Sequence, residues 1–132
     1  MNDRYLYRAK NIDDGEWVEG YLYGIWERRY ILWGMTNDVP DMIEVDPSTI
    51  CQYTGLKDKN GKLIWENDIV RDDNGNLYKA FWQDRYYQFS WICVKSDKLP
   101  IGAKWDFWSI RSYEIEVIGN IFDNPELLEV GE

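Results

Sequence analysis

The chain alternates its side chains with period two and interrupts the alternation with turn residues about every 8 to 12 positions. In residues 16–23, Trp17, Glu19, Tyr21 and Tyr23 fall on one face, while Val18, Gly20 and Leu22 fall on the other. Such a pattern of aromatic and β-branched residues forms strands, because successive side chains of a strand point to opposite faces. Residues 5–8, 29–34, 42–45, 49–53, 76–82, 86–94, 105–110 and 113–122 repeat the signal. Residues 35–41 (MTNDVPD) read as a loop, since Asn and Asp favour turns and Pro40 cannot donate to a ladder. Hairpin turns are expected at 58–62 (DKNGK) and 72–76 (DDNGN), with the Asn-Gly pair at positive φ in a type I′ turn. Gln83, Asp84 and Arg85 join a further hairpin. A single helical turn is expected over 125–130, where Pro125 follows a capping residue and Glu126 lies at the positive dipole end. A mainly β protein follows, built from short-strand hairpins as a small barrel or sandwich.

Composition narrows the chemistry. At 132 residues the chain has the length of one domain, 1–132, and needs no disulfide or metal framework to bury a core. It contains no histidine, which removes the commonest general base and the commonest metal ligand. Its two cysteines lie in no C-x-x-C motif; Cys93 is flanked by Ile92 and Val94 and Cys51 follows Ile50, so both read as packed thiols. The net charge of −9 opposes nonspecific binding to a phosphate backbone. Eight tryptophans and ten tyrosines argue against disorder. No run is long and apolar enough to span a membrane, and residues 1–10 are polar, so no membrane association and a cytosolic location are expected. No cofactor or metal is expected.

Residues 52–70 (QYTGLKDKNGKLIWENDIV) are the most distinctive block. Together with Arg8-Ala9-Lys10, residues 14–22 (DGEWVEGYL), residues 117–122 (VIGNIF) and residues 123–128 (DNPELL), the chain resembles the YopX family of phage and prophage proteins. The resemblance implies a β-rich protein whose residues 1–50 form a hairpin region and whose residues 51–132 form an SH3-like small barrel. It implies an E-G-D-I-V element at Glu66-Asn67-Asp68-Ile69-Val70, where Asn67 replaces the usual glycine and tolerates the same left-handed backbone. It also implies a phage-derived accessory protein in the cytoplasm of a bacterial host, and no catalytic residue.

Two segments stand out as candidate partner-binding sites. Lys57, Lys59 and Lys62 surround Asp58, so their turn can meet a phosphate or an acidic partner; the plainer reading is a solvated hairpin tip whose lysines guard a strand edge. Trp82, Tyr86, Tyr87, Phe89 and Trp91, with Arg85 among them, exceed what one face of a sheet can bury. They can stack bases or grip a peptide, or be covered by another part of the protein or another subunit. The acidic turns miss the calcium-loop template, because Leu77 stands where glycine is required and Leu56 where the first ligand would be. Glu66 with Asp68, and Glu114 with Glu116, are spaced to share a strand face, a common accident in so acidic a chain. The function expected is non-enzymatic protein binding or self-assembly, with an unknown phage or host protein as partner. A homo-oligomer is expected to bury part of the 82–91 stretch, or Trp105 and Trp108. A nucleic-acid-binding module using the lysine turn and residues 80–91 is the alternative.

Overall fold

The computed structural model of the chain describes residues 5–128, so the last part of the 125–130 expectation lies outside the described residues. With 55% of the chain in strand and 9% helical, the protein is mainly β, in two antiparallel sheets. It divides into two compact units, Met1–Tyr53 and Thr54–Glu132.

In the first unit, β1 (Leu6–Lys10), β2 (Trp17–Ile25), β3 (Arg28–Thr36) and β4 (Val39–Val45) form consecutive antiparallel neighbours. The start of β5 (Cys51–Lys57) pairs with the other side of β1, Tyr7 opposite Gln52 and Arg8 opposite Cys51. Alternation places Val18 and Gly20 inward, over a core of Ala9, Ile31 and Val45. The sheet curls until the end of β4 meets the end of β1: Asn11 bridges Val45, the Ile12 amide donates to the Glu44 carbonyl at 3.1 Å, and the Asp46 amide donates to the Lys10 carbonyl at 2.8 Å. Gly20 permits the curl, because a Cβ there would run into the Leu32 carbonyl oxygen and the Ile31 side chain.

The expected loop over 35–41 is instead mostly strand. β3 and β4 extend to Thr36 and from Val39, joined by Asn37 and Asp38 at φ 51° and 64°. Two left-handed residues in succession are what a two-residue type I′ turn requires, and Asn and Asp tolerate them best. Pro40 is accommodated because β4 ends the sheet, where a missing amide breaks no ladder.

The second unit continues β5 into β6 (Leu63–Trp65), then β7 (Asp68–Arg71), β8 (Leu77–Gln83), β9 (Gln88–Lys95), β10 (Lys104–Asp106) and β11 (Glu116–Asn120). Five of these form an antiparallel sheet in the order β10-β9-β8-β7-β11. Ile64, Val70, Tyr78, Ala80, Trp91, Cys93, Ile115 and Val117 make its core. Both cysteines are buried and neither is in a disulfide.

The two Asn-Gly turns are of one kind, but not type I′. Only Gly61 and Gly75 take positive φ, at 79° and 82°; Asn60 and Asn74 do not. In each, the leading aspartate's carbonyl accepts from the glycine amide, and its Oδ1 accepts from the amides two and four residues on. That side chain fixes a type I turn, leaving glycine alone in the left-handed position. The segments 105–110 and 113–122 are strand only over Lys104–Asp106 and Glu116–Asn120. Between them, Asp106 Oδ1 accepts from the Ser109 amide and hydroxyl, and Ser112–Glu114 is a 3-10 turn. The expected C-terminal turn is present as 3-10 over Pro125–Leu128, and a third such turn, Pro47–Thr49, is capped by Asp46. Among the described residues no helix is long and apolar enough to cross a membrane.

Candidate functional site

The lysine turn is organised by its aspartate. Asp58 is buried; its Oδ1 accepts from the Asn60 and Lys62 amides and its Oδ2 from the Val117 amide, all at 2.9 Å. The Lys59 amide donates to the Ile115 carbonyl at 2.9 Å, so the tip is tied to the start of β11 from both sides. Lys57, Lys59 and Lys62 are exposed, but Lys59 Nζ lies 3.8 Å from Glu116, which also meets Arg71 at 3.4 Å. One lysine is thus engaged by the protein's own carboxylate.

The aromatic stretch separates into core and tip. Trp91 is fully buried and Phe89 half-buried on the inner face of β9. The strand starts at Gln88, so Tyr86 and Tyr87 do not continue its alternation as expected. They lie with Asp84 and Arg85 in a four-residue turn closed by the Gln83–Gln88 pair, Tyr87 at φ 50° and 81% exposed. The Arg85 guanidinium stands 5.5 Å from the Tyr86 ring centre, an internal cation–π pair. Trp82 is 40% exposed and meets Phe89 edge-on at 5.1 Å.

Phe107, which alternation assigned to a strand, is the residue that links these aromatics to a concave surface. It stacks on Trp91 at 4.4 Å and lies 6.2 Å from Phe89. Its other side lines an open groove of about 660 Å³ with Leu56, Trp108, Arg111, Ser112 and Tyr113. Trp108 is 92% exposed and Tyr113 is exposed as well. Among the described residues the buried Trp91 indole N–H has no hydrogen-bond acceptor. Sequence reading missed this groove because its walls stand on turns. The available signal was local: Asp106 and Ser109 have the spacing of a side-chain-closed turn, which ends period two before Trp108. Of the tryptophans expected at an intermolecular contact, Trp91 is core and Trp105 is half-buried edge-on against Tyr78 at 5.7 Å. Trp82 and Trp108 remain accessible.

Arg111 also borders a second, polar hollow of about 310 Å³ that includes Asp72, Asp73, Asn74 and Glu114. Burial pushes the Asp72 carboxyl up, but hydrogen bonds from Asn76, Tyr78 and Asn74 together outweigh it and hold the group below its ordinary range. Burial first, then the Asp72 carboxylate, raises the Tyr78 hydroxyl far above its usual value. Burial raises the Cys93 thiol too, which keeps it in the unreactive form. Neither carboxylate pair shares the strand face that its spacing predicts. Asp68 is buried and accepts from the Trp65 amide at 2.8 Å, while Glu66 and Asn67 form the turn before β7. Asn67 sits at φ 72°, the left-handed turn expected of it. Glu114 closes a 3-10 turn and Glu116 belongs to β11. Among the described residues no group of three or more Cys, Asp or Glu side chains is gathered to hold a metal.

The geometry defines a small, mainly β protein with an open aromatic groove bordered by charge. Residues 6–129 match the YopX protein family, and the chain belongs to it. Among solved structures it is similar to protein EF1440 from Enterococcus faecalis, with 25% identity and a TM-score of 0.54, over 93% of this chain and 96% of that one. No curated protein matches the sequence.

Proposed function

We propose that this protein is a non-enzymatic binding module that holds another protein in the groove of Leu56, Phe107, Trp108, Arg111, Ser112 and Tyr113. The carrying observation is Trp108, 92% exposed on a depression floored by the core-packed Phe107. A large aromatic left in water beside a concave apolar surface is the arrangement found at interface hot spots. The lack of histidine, and carboxylate pairs that do not share a strand face, favour binding over catalysis. Family membership favours a phage- or prophage-derived accessory role in a bacterial cytoplasm, with a phage or host protein, or a second copy of the chain, as partner. A nucleic-acid role has less support, because Lys59 is drawn to Glu116 and the exposed aromatics lie beside Asp72, Asp73 and Glu114.

Capture from host extract on immobilised wild type and Trp108→Ala tests the reading, with light scattering at micromolar concentration run alongside. The expected result is a specific protein, or a mass above one chain, lost in the variant. A monomer whose captured set is unchanged by Trp108→Ala contradicts it.

A further inference from the structure

Resting on that reading of the groove, we propose that its occupant is an extended, proline-containing peptide segment carrying basic residues at one end. The apolar part of the argument comes from the walls. Trp108, Tyr113 and Phe107 offer flat faces, and the Trp108 indole, the Tyr113 hydroxyl and the Ser112 hydroxyl offer donors on the same surface. A polyproline II segment presents rings to such faces and leaves its carbonyls free for such donors, because it makes no internal hydrogen bonds. Addition of a strand is the competing mode for an extended peptide. It is poorly served here, since β10, the strand that ends the five-stranded sheet just before Phe107, has only three residues, Lys104–Asp106.

The basic end is argued from charge. The groove and the polar hollow share Arg111, so a segment leaving the aromatic walls enters a depression with Asp72, Asp73 and Glu114 on its sides. Three carboxylates face one guanidinium there, in a chain of net charge −9. Asp72 is saturated by four hydrogen bonds from its own turn and from Tyr78, so it contributes charge rather than a free acceptor. Asp73 is exposed, and Glu114 pairs with Arg111 at 3.8 Å across exposed side chains; these two are the acceptors an incoming guanidinium or ammonium would meet. An acidic peptide or a nucleic-acid backbone would meet the same carboxylates as repulsion.

The test is fluorescence anisotropy with a short labelled peptide bearing prolines at every third position and a pair of arginines at one end. Three comparison probes are the same peptide with glutamates for arginines, the same with alanines for prolines, and an oligothymidylate. The arginine–proline probe should bind best. Trp108→Ala should weaken it about 30-fold, as loss of an aromatic hot spot does. Asp73→Lys should weaken it about 5-fold, in keeping with reversal of an exposed charge, and should close the gap to the glutamate probe. Both residues are exposed, and an unchanged melting temperature in each variant would show that the fold is intact. Equal or tighter binding of the glutamate, alanine or oligothymidylate probe overturns the peptide class; if Trp108→Ala still abolishes that binding, the groove reading survives. No saturable binding of any peptide also overturns the peptide class, and the capture experiment then judges the groove. Binding of the arginine–proline probe that is indifferent to Trp108→Ala overturns both.

Discussion

Replacing Asp58 with alanine should cost this protein far more than any change to the three lysines around it. The carboxylate accepts three amides, and they are not equivalent. Those of Asn60 and Lys62 lie on exposed residues, so water replaces the lost bond at a cost of about 0.5 kcal/mol each. The Val117 amide is buried, and leaving it without an acceptor costs about 2 kcal/mol. Together these amount to about 3 kcal/mol, before any loosening of the Lys59–Ile115 backbone bond is counted. For a chain of this length that lowers the melting temperature by about 10 °C. Asp72→Ala is the internal control. It removes the same turn bonds in DDNGN, but every partner lies within six residues, and the expected cost is about 1.5 kcal/mol. Urea titration of both variants should show a shifted midpoint at unchanged slope. If Asp58→Ala costs no more than Asp72→Ala, the long-range bond to Val117 is not the clamp inferred here. Lys57→Glu and Lys62→Glu should each stay within about 0.5 kcal/mol of wild type.

Gly20→Ala should destabilise by about 2 kcal/mol or abolish folding, because the added methyl meets the Leu32 carbonyl, which can move only with β3 itself; a neutral result in a thermal melt would refute the close approach. Trp91→Ala should cost about 4 kcal/mol while Trp108→Ala costs less than about 0.5, a contrast that urea denaturation measures and that reversal of their assigned burial would invert. Acid should remove the contribution of Asp72. A carboxyl held below its ordinary range stabilises fully above the unfolded value near ~3.9 and loses that effect as pH falls through its lower folded value. The stability gap between wild type and Asp72→Asn should therefore narrow below about pH 4, and a gap that widens there would refute the assignment.

Period two was a reliable guide where strands are continuous. It separated the two faces of β2, of which that of Val18 and Gly20 lies inward, and the same alternation runs through Phe89, Trp91 and Cys93 on β9 but not back to Tyr87. It could not see the link between Asp58 and Val117, 59 residues apart, because a charge beside lysines looks the same whether it faces water or a buried amide. Nor could it tell the two kinds of turn apart. Asn-Gly favours type I′ in isolation, but an aspartate two residues ahead offers its carboxylate to the turn amides and selects type I with glycine alone left-handed.

The groove was illegible for a related reason. Counting aromatics by face asks how many a sheet can bury, and that question correctly found an excess in this chain. It then located the excess on residues 82–91, or on Trp105 and Trp108; of these, Trp91 and Phe89 are absorbed by the inner face of β9 and Trp105 is half-buried, while Trp108 is exposed. The surplus is displaced to positions without a face: Tyr86 and Tyr87 on a four-residue turn, Trp108 and Tyr113 on the connection from β10 to β11, and Trp26 at φ 54° and 88% exposed on the β2–β3 hairpin. A turn that holds a bulky aromatic in the left-handed region or in open water gains nothing for folding from that side chain, and a small polar residue would serve it better. The residues most difficult to justify by stability are therefore the ones most informative about binding. In this protein, Trp108, standing beside a depression and an acidic hollow, is the one whose loss should leave the fold intact and the partner unbound.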